Sequence, residues 1–156
     1  MTDTLQSCAL FKDWTSKDIE RLSEIAISKP LNVGEILFTE GSTANSLILV
    51  QSGTIRIEVG AGDDDEAVAE FGTNSYFGEM GLLGKLSDGA KRSASATATE
   101  ATKVLELSYA NLTKLLEADP ALAARFYRNI ASDLSVRIQK TTKDLASLRS
   151  LRLRHI

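Results

Sequence analysis

A chain of 156 residues, 43% apolar and 25% charged, can bury about two-thirds of its unfolded surface in one domain and needs no disulfide or metal staple. One Cys and one His exclude intramolecular disulfides, zinc clusters, three-histidine metal sites and Cys/His catalytic pairs. The longest apolar runs, such as Leu47-Ile48-Leu49-Val50, are too short to span a bilayer. Charge is uneven: residues 1–120 hold 10 Lys/Arg against 19 Asp/Glu, and residues 121–156 hold 8 against 2. The basic segment reads as a solvated helix face beside an acidic domain, with nucleic-acid contact as the alternative.

At the N-terminus, Leu5-Gln6-Ser7-Cys8 resembles a lipoprotein cleavage box, but the residues before it are acidic and lack the apolar stretch of a signal peptide. Cys8 is therefore read as an inert small hydrophobe and the compartment as the cytoplasm. Phe11 and Trp14 read as packing residues. Thr15-Ser16-Lys17-Asp18 sets a hydroxyl three residues before a carboxylate, the signature of a helix start. Ile19, Leu22, Ile25 and Ala26 follow at helical spacing, and Pro30 is expected to end the helix.

From Leu31 to Leu107 the pattern changes to short runs separated by glycine. Ile36-Leu37-Phe38, Leu47 to Val50, Ile55 to Val59, Ala67 to Phe71, Ser93 to Ala98 and Lys103 to Leu107 read as strands, with Ile55, Ile57 and Val59 alternating as a half-buried strand should. Seven or eight strands at this spacing suggest a sandwich or jelly roll. The acidic run Asp63-Asp64-Asp65-Glu66 reads as a solvated hairpin tip. Ser108 is placed to cap a helix carrying Leu112, Leu115 and Leu116, and Asp119-Pro120 to open a long final helix. In that helix Leu134, Ile138, Thr141, Leu145 and Leu148 form a heptad seam, for which a second copy of the chain is the natural partner. These readings divide the chain into residues 1–118 and a helical segment, residues 119–156.

The stretch richest in chemistry is Tyr76-Phe77-Gly78-Glu79-Met80-Gly81-Leu82-Leu83, followed after a polar loop by Lys91-Arg92-Ser93-Ala94. Gly78 lets a backbone approach a ligand closely, and residues 79–83 can form one helical turn with free N–H groups. Arg92, read as opening the next strand, offers a fork of donors to phosphate oxygens, Ser93 adds a hydroxyl, and Glu79 can accept from sugar hydroxyls. The same residues could instead form a Glu79–Arg92 ion pair that closes a loop without any ligand.

These residues resemble the cyclic nucleotide-binding domain family. Phe77-Gly78-Glu79-Met80-Gly81-Leu82-Leu83 and Arg92-Ser93-Ala94 match the fixed positions of its phosphate-binding cassette, and Val33 to Gly41 and Val50 to Ile55 match its upstream pattern. The resemblance implies an α+β fold: an eight-stranded antiparallel β-roll, jelly-roll-like, with flanking helices and a long C-terminal dimerisation helix. It implies a cyclic nucleotide bound by Gly78, Glu79, Met80, Gly81, Leu82, Arg92, Ser93 and Ala94. Twelve residues separate Glu79 from Arg92, more than the family's usual span, so the Gly84 to Lys91 loop is expected to bulge at the pocket rim.

Arg137-Ile138-Gln139-Lys140-Thr141-Thr142 is similar to the dimer helix of the family's bacterial cyclic-AMP receptor branch. By that similarity Thr141 would meet the base in its own pocket and Thr142 would reach the partner's. The resemblance thus implies a non-catalytic cyclic-AMP sensor, with cyclic GMP as another possible ligand, homodimeric through residues 120–150 and signalling to an unidentified protein. With the chain ending at Ile156, no DNA-binding domain is expected after the helix. A ligand-free dimerisation module keeping the fold is the alternative from another class. A phosphodiesterase is disfavoured by the lack of a metal-binding cluster.

Overall fold

The structure, a computed structural model, describes residues 1–60, 66–83 and 90–154. The acidic residues 63–65, most of the loop after Leu83 (residues 84–89) and His155 lie outside the described residues. Chain order is α1 (Thr2–Ser7), a 3-10 turn (Ala9–Phe11), α2 (Ser16–Ile25), β1 (Ala26–Leu31), β2 (Ile36–Phe38), β3 (Ser46–Ser52), β4 (Ile55–Val59), β5 (Glu66–Phe71), β6 (Tyr76–Phe77), α3 (Glu79–Leu83), β7 (Ser95–Ala98), β8 (Thr102–Ser108), α4 (Tyr109–Ala118) and α5 (Pro120–Arg154). The strands form two four-stranded antiparallel sheets, ordered β1-β8-β3-β6 and β2-β7-β4-β5. This is the expected eight-stranded roll with flanking helices and a long C-terminal helix.

The helix starts obey their local chemistry. Asp18 N–H donates to Thr15 Oγ1 at 3.2 Å while Thr15 N–H donates to Asp18 Oδ2 at 3.2 Å, so the capping box is complete. Ser108 accepts from Asn111 N–H, and Asp119 accepts from Leu122 N–H at the head of α5.

Two expectations need correction. Helix α2 ends at Ile25, not at Pro30, because Ala26–Leu31 pairs residue by residue with β8, from Ala26 against Leu107 to Leu31 against Thr102. Pro30 is tolerated there because β1 is an outer strand with one side free of ladder hydrogen bonds. Arg92 does not open a strand. Its backbone pairs with the loop before β3 (Arg92 N–H to Ser42 O, Gly41 N–H to Arg92 O), and β7 begins only at Ser95.

The sheet containing β3 separates two cores. Leu47 and Leu49 point into a helical core with Phe11, Trp14, Leu22, Leu112, Leu122, Phe126 and Ile130, whereas Ile48 and Val50 point into the roll with Ile55, Phe77, Ala96 and Val104. The period-2 alternation of β3 thus serves two apolar environments, which is why residues 46–50 are all buried. Phe11, Trp14 and Phe126 form an aromatic cluster, with 4.9 Å between the first two ring centroids, so the two N-terminal aromatics are packing residues as expected. Among the described residues, no helix is long and apolar enough to cross a membrane.

Cys8 is buried in the helical core, and burial pushes its thiol up from the ordinary 9.0 to about 12. At pH 8 the native protein should therefore react with a maleimide far more slowly than the urea-unfolded chain, the thiolate population being lower by roughly a thousandfold. Because the folded thiol titrates above the unfolded one, its contribution to stability is intact below pH 9.0 and declines as pH rises toward 12. Cys8→Ala should remove that part of the alkaline decline in the urea midpoint. Equal labelling rates in buffer and in urea would place the thiol at the surface.

Candidate functional site

A cavity with about 620 Å³ of empty space, counting its open mouth, lies where the roll, α3 and α5 meet. One wall is apolar: Phe38 from β2, Ile57 from β4, Phe71 from β5 and Phe77 from β6. The rings of Phe38 and Phe71 lie 6.0 and 5.2 Å from that of Phe77. The other wall is polar backbone and charge: Gly78, Glu79, Met80 and Gly81 from the α3 turn, Lys91 to Ala94 from the following segment, and Arg137 from α5. Seven of the eight cassette residues named from the sequence line this one space. The eighth, Leu82, sends its side chain into the helical core.

Arg92 is the centre of the site. Only 7% of its surface is exposed, and its Nη2 donates to the carbonyl (3.0 Å) and the hydroxyl (3.1 Å) of Ser46 at the start of β3. Its guanidinium carbon lies 4.1 Å from the centre of the Phe38 ring. No carboxylate oxygen of a described residue stands within 4.0 Å of it, and its buried Nε has no hydrogen-bond partner. Burial pulls Arg92 below the ordinary guanidinium value, opposed by the neighbouring Tyr109 phenol and by Glu106.

The ion pair expected as the alternative, Glu79 with Arg92, is absent. Glu79, 6% exposed, pairs with Arg137 Nη1 at 3.4 Å. Among the described residues, the charged groups lining the cavity are one carboxylate, Glu79, and three cations, Lys91, Arg92 and Arg137, and with Glu79 and Arg137 matched this lining favours an anion.

Two backbone features fix this geometry. Gly78 has φ +91°, and a Cβ there would lie 2.9 Å from both Arg92 Nη1 and the Ser46 carbonyl oxygen. The Tyr109 hydroxyl, at the first residue of α4, donates to the Gly78 carbonyl, and a Cβ on Gly81 would strike that hydroxyl and lie 3.0 Å from Ala44.

Thr141 and Thr142 are exposed on α5, and their hydroxyls donate one turn back to the carbonyls of Arg137 (3.0 Å) and Ile138 (2.9 Å). Thr141 lines a second groove between the β5–β6 turn and α5, which shares only Phe71 and Arg137 with the cavity. Thr142 lines neither. Sequence reasoning did not assign site roles to Ser46, Tyr109, Arg137 or the phenylalanine wall. Phe38, Phe77 and Arg137 carried a signal, lying inside motifs already singled out, whereas Ser46, Phe71 and Tyr109 carried none as site residues.

A family model described as the cyclic nucleotide-binding domain matches residues 29–119. The chain is 33% identical over 113 residues to the cyclic AMP receptor protein of Thermus thermophilus, covering 72% of this chain and 49% of that one. It is 26% identical over 130 residues to glutaminase 2 of Bradyrhizobium diazoefficiens, covering 83% of this chain and 20% of that one. It spans less than half the length of these curated relatives. Among solved structures, the Thermus thermophilus catabolite activator protein superposes with TM-score 0.73 at 28% identity, covering 90% of this chain and 62% of that one. The N-terminal domain of a transcriptional regulator from Streptomyces coelicolor A3(2) gives 0.74 at 26%, covering 89% and 94%.

A buried cation without a counter-carboxylate costs folding free energy. Arg92→Met, which keeps length and removes charge, should therefore leave the ligand-free thermal midpoint at or above that of the wild type. A loss exceeding about 2 kcal/mol in denaturant titration would mean that the Ser46 hydrogen bonds outweigh desolvation, making Arg92 a structural residue.

Proposed function

The chain belongs to the cyclic nucleotide-binding domain family, and within it we propose a non-catalytic, homodimeric cyclic-AMP sensor acting in the cytoplasm. The observation that carries this reading is Arg92: a buried guanidinium facing a cavity, with no described carboxylate oxygen within 4.0 Å. A cyclic phosphodiester carries the one negative charge that this cation lacks, and its exocyclic oxygens suit a forked donor. Gly78, Met80, Gly81, Ser93 and Ala94 supply the close-packed backbone and the hydroxyl around that phosphate, and Leu82 anchors the turn from the helical core. Glu79 accepts from the ribose, and the phenylalanine wall takes the apolar faces of the ligand.

Base selection falls to Thr141. Its proton is committed to the Arg137 carbonyl, so its free lone pairs favour the adenine amino group over the guanine carbonyl. Thr142, one residue on, faces the partner's pocket. The exposed apolar residues of α5, among them Ile138 (66%), Leu145 (58%) and Leu148 (61%), supply the dimer seam within residues 120–150. A protein reading this helix is the downstream partner.

Isothermal titration tests the reading. Cyclic AMP should bind the wild type and should bind Arg92→Met at least about thirtyfold more weakly, corresponding to ~2 kcal/mol. Failure of the wild type to bind, or an Arg92→Met variant within threefold of it, would favour the ligand-free dimerisation module. Cyclic AMP should exceed cyclic GMP by about tenfold, ~1.4 kcal/mol, and Thr141→Val should narrow that gap by weakening cyclic AMP. Asp at both Ile138 and Leu145 should give monomers by light scattering; a wild type already monomeric at high concentration would remove the role given to Thr142.

A further inference from the structure

Helix α5 is joined to the roll in two ways. Up to Ile130 the buried face is apolar, with Leu122, Phe126 and Ile130 in the helical core, while Arg125 and Asn129 add polar contacts to the N-terminal segment only, to Asp18 and to the Leu10 and Lys12 carbonyls. Around Leu134, which is partly buried against that core, the last contacts are polar and ionic. Asp133 accepts from the Tyr76 hydroxyl of β6 and from Arg137 Nε at 3.1 Å, and Arg137 in turn reaches Glu79 at 3.4 Å with its guanidinium 4.5 Å from the centre of the Tyr76 ring. After Arg137, every residue of α5 from Ile138 to Arg154 is exposed. Tyr76 and Glu79 flank Phe77-Gly78, so four side chains and this stretch of backbone form a ring that clasps the cassette to the helix where the helix leaves the body. Tyr76 is buried, and burial together with Asp133 holds its phenol well above the ordinary tyrosine range, so it remains a donor.

We propose that Asp133 is the positioning residue that couples occupancy of the nucleotide cavity to α5, by holding both the Tyr76 hydroxyl and the Arg137 guanidinium that pairs with Glu79. The inference rests on the reading of the cavity as a nucleotide site. A ribose hydroxyl engaging Glu79 competes for the carboxylate that Arg137 holds in this structure. Arg137 then redistributes toward Asp133, and the exit of the exposed half of α5 changes with it. A ligand shifts such an equilibrium only through its different interaction with the two arrangements, and Glu79 is where that difference arises. Neither Asp133 nor Tyr76 lines the cavity, so their effect on the ligand is indirect.

The test is amide hydrogen exchange on the full chain with and without saturating cyclic AMP, in the wild type, Asp133→Asn, Tyr76→Phe and the double variant. In the wild type the nucleotide should shift exchange of residues 133–145 at least about fivefold, while residues 122–130 stay unchanged. Each single variant should bind cyclic AMP within about tenfold of the wild type, protect the α3 turn as the wild type does, and lose most of the shift in α5. The double variant should lose no more than Asp133→Asn alone, because both changes open one ring. A purely structural role would alter exchange equally in the free and bound states and leave the shift intact. An α5 shift preserved in Asp133→Asn, or a wild type that binds nucleotide without any α5 shift, overturns the coupling and leaves the nucleotide site standing. A wild type that binds neither cyclic AMP nor cyclic GMP overturns both.

Discussion

The buried guanidinium of Arg92 is the constraint around which the site is built. A cation removed from water must be held by donors' partners and polarisable surfaces, or it will not stay inside. Here the Ser46 carbonyl and hydroxyl, the face of Phe38 and the absence of a side chain on Gly78 together make room for it. Each of these is a demand on another part of the fold. Ser46 is available because β3 begins there, Phe38 because β2 turns its last residue inward, and Gly78 because only glycine accommodates φ +91° with the guanidinium against its α-carbon. The Tyr109 hydroxyl then locks the Gly78 carbonyl from below, which ties the cassette to the start of the helices. What the arrangement does not provide, among the described residues, is a carboxylate within ion-pair distance of Arg92, and that omission is what gives this guanidinium a preference for an anion.

The parts of the site that were legible in the sequence are those that the chain makes locally. The α3 turn, its glycines and the Arg92-Ser93-Ala94 segment are short motifs whose chemistry sits within a few residues. The capping box at Thr15 and the caps at Ser108 and Asp119 were readable for the same reason, since each bond closes over three residues. The long-range partners were not. Ser46 lies 46 residues from Arg92, Tyr109 lies 31 from Gly78, and Arg137 lies 58 from Glu79, and nothing in spacing says which strand end or helix turn will meet which. The misread at Ala26–Leu31 has a different origin. Ile25 and Ala26 continue the helical apolar spacing and do pack against the helical core, but the free edge of β8 offers a ladder to the backbone that outweighs the side-chain pattern. Likewise the loose Glu79–Arg92 pairing drawn from the sequence gives way to Glu79–Arg137 because α5 delivers a second arginine to the cavity, a consequence of topology alone.

The division of α5 follows from helix geometry. Leu122, Phe126, Ile130 and Leu134 are spaced by four, and each such step advances about 40° around the axis. Over those three steps the apolar line has turned by about 120°, away from the roll, and the seven-residue step from Ile138 to Leu145 then keeps it nearly in one direction. This is why Leu122 is fully buried, Leu134 partly, and Ile138 exposed on a helix of unbroken regularity. The face that the apolar line abandons is not left empty. Arg137 lies seven residues after Ile130, within about 20° of it around the axis, and Asp133 occupies the turn between. The side of α5 directed at the roll therefore passes from hydrocarbon to charge at the level of the cavity. Hydrocarbon contact is non-directional and insensitive to a ligand's hydroxyl groups, whereas the Glu79–Arg137–Asp133 chain consists of directed charge contacts that share one donor, Arg137. The helix is thus anchored by the part that cannot respond to the cavity and adjusted by the part that can.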